Sequence, residues 1–171
     1  TRPLVWPAAF SVADILFGDY NPAGRLPITF YKSVDQLPDF EDYSMKGRTY
    51  RYMTQVPLYP FGYGLSYTTF EQKMNDFSDN GDNVTFNVTV TNTGDVAGKD
   101  VVEVYFTPPY TNGGIEKASV NLIDYAKTGE IAPGESETVE FTINKEDMAS
   151  YDSYDAAWVM EEGEYTIRVG N

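Results

Sequence analysis

A mainly β fold, an antiparallel β-sandwich preceded by a small α/β segment, follows from three features of these 171 residues. Hydrophobicity alternates with a period of two from residue 69 onward, turn clusters punctuate the alternation at short intervals, and cysteine is absent. Val84, Phe86, Val88 and Val90 share one face of a strand, with Thr85, Asn87, Thr89 and Thr91 on the other, up to the turn cluster Asn92-Thr93-Gly94-Asp95. Val102, Val104 and Phe106 alternate again until Pro108-Pro109 stops the strand. Val139, Phe141 and Ile143 follow the turn at Ala132-Pro133-Gly134-Glu135, and Tyr165, Ile167 and Val169 follow Glu162-Gly163. With the stretches near 70–77, 119–125 and 157–160, about seven short strands are expected, the pattern of an immunoglobulin-like or fibronectin type III-like sandwich. Without cysteine there is no inter-sheet disulfide, which favours the fibronectin type III-like kind. The segment Tyr110 to Ala118 is too rich in turn residues for a strand and is expected to project from one end.

The first third has a different character. Ala8 to Phe17 puts Ala9, Val12, Ala13 and Leu16 on one side at helical spacing, and Gly18 supplies the stop. Asp19-Tyr20-Asn21-Pro22-Ala23-Gly24 reads as a turn, and Leu26-Pro27-Ile28-Thr29-Phe30 as a short edge strand whose proline donates no ladder bond. Such a unit cannot bury both its faces alone, so Ala9, Val12 and Leu16 are expected to present apolar surface.

Composition narrows the chemistry. Twelve basic against twenty-six acidic residues give a charge of −14. That surface repels phosphate backbones and anionic headgroups, so neither nucleic acid nor a membrane is an expected partner. A neutral, hydroxylated partner such as a sugar meets no such repulsion. With no Cys and no His, thiol nucleophiles, Ser-His-Asp triads and Cys/His zinc sites are excluded within this polypeptide. No run approaches the roughly 20 apolar residues that span a bilayer. Thr1 to Pro7 lacks the apolar core and cleavage site of a signal peptide. A soluble protein is expected, and both a bacterial cytoplasmic and a secreted location fit these residues.

Two long motifs carry a resemblance. Ala13-Asp14-Ile15-Leu16-Phe17-Gly18-Asp19-Tyr20-Asn21-Pro22-Ala23-Gly24-Arg25-Leu26-Pro27 resembles the end of the second domain of family 3 glycoside hydrolases. Gly47-Arg48-Thr49-Tyr50-Arg51-Tyr52 and Pro57-Leu58-Tyr59-Pro60-Phe61-Gly62-Tyr63-Gly64-Leu65-Ser66-Tyr67-Thr68-Thr69-Phe70 resemble the linker into that family's fibronectin type III-like domain. The resemblance implies three parts: residues 1–38 as a remnant of the α/β-sandwich domain, 39–68 as an aromatic-rich linker, and 69–171 as the fibronectin type III-like domain. Gly114 to Leu122 resembles bacterial β-glucosidases with permuted domain order, in which a catalytic barrel follows the sandwich. The first dozen residues depart from the family's Gly-rich lead-in, which implies a truncated or joined boundary.

The resemblance implies retaining hydrolysis of β-glycosides, with an Asp nucleophile on a (β/α)-barrel and a Glu acid/base upstream of the Ala13–Gly18 helix. Neither has a counterpart here, so no catalytic residue is assigned to this chain, and it is expected to be structural or accessory and inactive alone. No cofactor and no metal are implied. The implied partners are a β-glucoside or cello-oligosaccharide, reached through the parent enzyme, the (β/α)-barrel, and the rest of the α/β-sandwich domain. A non-catalytic carbohydrate-binding or spacer module is the alternative; an exposed planar row of aromatics on one sheet would favour binding.

The aromatic stretch from Phe40 to Tyr63, interleaved with Arg48 and Arg51, supplies the candidate substrate-binding residues Tyr43, Arg48 and Tyr50. Sugar C–H faces stack on such rings, and hydroxyls bond to Arg and carboxylates. Tyr59, Phe61, Tyr63 and Tyr67 are read as packing between the two parts. Asp39, Glu41 and Asp42 are read as solvated loop charges, and Asn80-Gly81 as a type I′ hairpin turn.

Overall fold

The structure, a computed structural model, describes residues 5–170, with side chains from Ser11 onward. The assignment of Ala9 to the apolar side of the helix falls outside those side chains. Helix α1 (Val5–Phe17) starts three residues before Ala8, because Pro7 sits in the first turn, where its missing N–H costs nothing. Gly18 ends it at φ 85°, a conformation that penalises any side chain. Val12 and Leu16 remain exposed, Leu16 at 72%.

Among the described residues the remaining elements are α2 (Thr49–Tyr52), two 3-10 turns (Val34–Gln36 and Lys145–Met148) and eight strands: β1 (Phe70–Asp79), β2 (Asn83–Asn92), β3 (Val101–Thr107), β4 (Asn121–Lys127), β5 (Ser136–Asn144), β6 (Ser150–Asp152), β7 (Ala157–Val159) and β8 (Thr166–Gly170). Two antiparallel sheets, β1-β2-β5 and β4-β3-β8, form the sandwich, and β6-β7 makes a separate hairpin. Strand β6 goes beyond the seven strands expected; its three residues are too short to show a period. Phe86 pairs with Phe141 and Val84 with Ile143 across β2 and β5, and Val104 with Val169 across β3 and β8. Phe86, Phe141, Val84, Ile143 and Val104, with Val88, Val90, Val102, Phe106, Ile131 and Met148, form the core, and Val169 packs against it. Each such side chain contributes about 1.5–3 kcal/mol by leaving water.

Two local expectations are corrected. Leu26 to Phe30 is not a strand: the chain bends at Pro27-Ile28 and only its ends pair, through Leu26 and Gly62–Tyr63 and through Phe30 and Leu58–Tyr59. Proline removes the ladder donor in the middle. The Asn80-Gly81 turn is not type I′, since only Gly81 (φ 87°) takes positive φ; as the first central residue it fits a II′ turn.

Asn92, at the end of β2, is fully buried and satisfies four groups at once. Its Oδ1 accepts from Thr68 Oγ1 (2.6 Å) and the Gly94 N–H (3.1 Å), and its Nδ2 donates to the carbonyls of Val96 (2.8 Å) and Ile131 (2.9 Å).

Strand β3 is buried on both faces over Val101 to Val104, because residues from the first third cover its outer side. Tyr50 stacks on Phe61 at 4.4 Å, and both rings meet the Tyr105 ring edge-on at 6.1 and 6.5 Å. Gly62, at φ 79°, lies so close to the Glu103 carboxylate that a Cβ has no room. Asn21 Nδ2 donates to Ala97 O (3.0 Å) and Lys127 Nζ to Ala23 O (2.8 Å). Arg25 Nη2 meets Asp100 Oδ1 at 2.6 Å.

Glu103 is a buried carboxyl in this joint. Burial pushes its carboxyl above the usual value of 4.5; the Tyr105 hydrogen bond (2.5 Å) and Arg25 oppose that, and Asp100 adds to it. A raised folded-state pKa favours the neutral acid, so its contribution to stability is complete below the unfolded-state pKa and lost as pH rises through the folded one. Glu103→Gln is therefore expected to be more stable than the parent chain at pH 7, with the gap closing by pH 4. Urea midpoints at both pH values check this, and a gap independent of pH would refute it.

Candidate functional site

The segment from Leu37 to Arg48 folds into a loop held by its own short side chains. A 3-10 turn, Val34–Gln36, leads in; Gln36 accepts the Lys32 N–H (2.6 Å) and donates to Val56 O (3.2 Å). Asp39 Oδ1 accepts the Glu41 N–H (2.9 Å) and Asp42 Oδ1 the Ser44 N–H (2.8 Å), two Asx turns in succession. The Ser44 N–H and hydroxyl hold the Asp42 carboxyl below the usual carboxylate range. Arg48 turns back across the loop, donating through Nε to Ser44 O (2.8 Å) and through Nη2 to Asp42 O. Gly47 permits that reversal at φ 72°.

This loop encloses a depression of about 570 Å³ lined by Leu37, Pro38, Asp39, Phe40, Asp42, Tyr43, Met45 and Arg48. Phe40 and Tyr43 are 92% and 88% exposed. Two solvent-facing rings beside a guanidinium and two carboxylates suit a neutral polyhydroxylated ligand: rings for C–H faces, Asp39 and Asp42 as acceptors, Arg48 as donor.

The sequence-predicted residues divide. Tyr43 and Arg48 stand together at the depression. Tyr50 does not line it; its ring is in the Phe61 stack, and its hydroxyl accepts the Leu122 N–H at 3.1 Å. Phe40, Asp39 and Asp42 line the same depression, although none was among the candidates. The run Asp39-Phe40-Glu41-Asp42-Tyr43 held the signal, an aromatic pair spaced among carboxylates.

A second, apolar groove of about 600 Å³ lies between Ile15, Pro22, Leu26, Phe30, Tyr59, Tyr63 and Leu65. Among the described residues no group of three or more acidic side chains has metal-binding geometry. No described helix is long and apolar enough to cross a membrane.

The chain matches the family model described as Glycosyl hydrolase family 3 C-terminal domain over residues 8–67, and that described as Fibronectin type III-like domain over residues 100–171. It is 42% identical over 162 residues to a xylan 1,4-beta-xylosidase of Xylanibacter ruminicola, covering 94% of this chain and 18% of that protein. It is 38% identical over 195 residues to beta-glucosidase A of Butyrivibrio fibrisolvens, covering 94% and 23%. Among solved structures, beta-glucosidase 3B of Thermotoga neapolitana, in complex with α-D-glucose, superposes with a TM-score of 0.82 at 39% identity, over 93% of this chain and 24% of that one. The chain thus spans about a fifth of the length of these relatives. Both matched segments, in this order and on this fold, mean that the chain belongs to glycoside hydrolase family 3, as its C-terminal domain portion and fibronectin type III-like domain.

Proposed function

We propose that this chain is the accessory part of a β-glucosidase-type enzyme that hydrolyses β-glucosides or cello-oligosaccharides with retention. The parent reaction is a two-step displacement through a covalent glycosyl-enzyme, with water as the final acceptor. Both reactive carboxylates belong to the parent's other parts, so this chain alone is inactive. Its apolar groove and the exposed Leu16 and Phe17 side chains suit packing against the remaining α/β-sandwich domain and a (β/α)-barrel. The loop carrying Tyr43 and Arg48 lines the outer part of the substrate cleft and holds the leaving-group sugar.

One observation carries the loop's role: two almost fully exposed rings converge with Arg48, Asp39 and Asp42 on one depression within the segment matching the family's C-terminal domain. Tyr50, by contrast, is covered within this chain by Phe61 and Tyr105. In the full-length enzyme, Tyr43→Ala and Arg48→Ala are each expected to raise KM for cellobiose about threefold to tenfold, as loss of one stacking or hydrogen-bond contact does. Their kcat should stay within twofold, the sign of lost uniform binding. Steady-state kinetics with cellobiose and a chromogenic β-glucoside decide it; unchanged KM for both variants removes the reading.

One feature favours the alternative of an independent carbohydrate-binding module. Tyr151 and Trp158 project from the β6-β7 hairpin at 5.5 Å, with Trp158 largely exposed. Their planes cross at 65°, which does not make a planar row. Calorimetric titration of this chain alone with cellobiose and glucose separates the readings, since only a binding module gives heat.

A further inference from the structure

The clefts of enzymes are set by what holds their loops, and here the holder is a sandwich strand. Helix α2 closes the Tyr43/Arg48 loop, because Arg48 is its N-cap residue. Four hydrogen bonds join α2 to the start of β4, about seventy residues away in the chain. Arg51 donates through Nη2 (2.6 Å) and Nε (3.1 Å) to Asn121 Oδ1, Ser119 Oγ donates to Arg51 O (3.4 Å), and the Leu122 N–H donates to the Tyr50 hydroxyl. Asn121 is itself oriented, since its Nδ2 donates to Ala118 O at 3.1 Å. The chain just before it is pinned, with buried Lys117 paired to Glu161 and donating to Pro109 O (2.7 Å).

Between this attachment and Arg48 stands Thr49, at φ 53°. A β-branched residue takes the left-handed region only where its surroundings force it there. The forcing contacts are visible on both sides: the Thr49 N–H donates to Tyr31 Oη (3.3 Å), and the next two residues are bonded to β4. The strained residue therefore lies where the loop meets its anchor, and the anchor dictates the direction in which the chain leaves Arg48.

We propose that β4 is a positioning element for the substrate-facing loop: Asn121, with the Leu122 amide, clamps α2 through Arg51 and Tyr50 and thereby sets where Tyr43 and Arg48 stand. Asn121, Arg51 and Tyr50 are positioning residues, with no substrate contact of their own. The consequence for catalysis rests on the loop's role proposed above; the clamp itself does not.

Two measurements test the two parts separately. In this chain, Asn121→Ala is expected to speed hydrogen exchange of amides in residues 39–53 about tenfold, leaving those of Val84 to Val90 unchanged; one such bond is worth about that factor. Asn121→Asp, which keeps the acceptor oxygen, should restore protection. In the full-length enzyme, Asn121→Ala should raise KM for cellobiose about threefold with kcat preserved, and Asn121→Asp should reverse it. Unchanged exchange overturns the clamp whatever the kinetics. Faster exchange with KM unchanged, in an enzyme whose Tyr43→Ala does raise KM, overturns the positioning role. If Tyr43→Ala also leaves KM unchanged, the loop's substrate role is what fails, and the exchange result alone decides the clamp.

Discussion

Asn92→Ala is expected to destabilise this chain by roughly 3–5 kcal/mol, the sum of two or more buried groups left without partners at about 1–3 kcal/mol each. The substitution deletes an amide that no water reaches. It breaks four bonds: those to the carbonyls of Val96 and Ile131, of which Ile131 keeps the Gly98 N–H (3.1 Å), and those from the Thr68 hydroxyl and the Gly94 N–H. These four groups belong to the crossing after β2, the segment leading into β5 and the end of the linker, so the loss loosens three connections together. At about 2–4 °C per kcal/mol for a chain of this size, the melting temperature should fall by roughly 10 °C. Asn92→Asp keeps the acceptor but loses both donors and should fall between the two. Urea unfolding of the three proteins checks the order; an Asn92→Ala cost below about 1 kcal/mol, less than one orphaned group, would contradict the account.

Arg25→Ala should be the other large effect, about 3–5 kcal/mol, because it removes the guanidinium paired with a buried carboxylate. The Asp100 side chain is only 3% exposed and that of Arg25 12%, so water cannot take over the solvation. Gln72 Nε2, at 2.7 Å from Asp100 Oδ2, is a neutral donor and replaces only part of the loss. This pair links the turn after α1 to the approach of β3, so its removal should detach the first third before the sandwich melts. Arg25→Leu combined with Asp100→Asn should recover at least half of the loss, since replacing both members of a buried pair is often nearly neutral. Thermal unfolding followed by near-ultraviolet circular dichroism reads the detachment through the tyrosines of the joint. An Arg25→Ala chain melting within 2 °C of the parent, where about 10 °C is expected, would sink the claim.

How far the sequence reaches differs from one part of the molecule to another. Strands β2, β3, β5 and β8 were legible because their core-facing apolar positions recur with a period of two, a signal contained in neighbouring residues. Residues 26–30 show the same alternation, yet Pro27 breaks the ladder and only the ends pair. Asn80-Gly81 suggested a I′ turn, whereas the placement of the loop between β1 and β2 puts Gly81 alone at positive φ. At the site, Tyr43 and Tyr50 are alike in composition and seven residues apart. Tyr43 is exposed and Tyr50 is stacked because Phe61 and Tyr105, from distant parts of the chain, cover only the second.

From its residues alone this protein declares its class, the alternating faces of its principal strands, its family and the stretch that holds its exposed rings, since each of these is written in local pattern and order. Folding in three dimensions decided which rings face water, that the outer side of β3 is buried with Glu103 in it, and that β4 grips α2. Those outcomes depend on contacts between segments tens of residues apart, and no local pattern encodes which segment covers which.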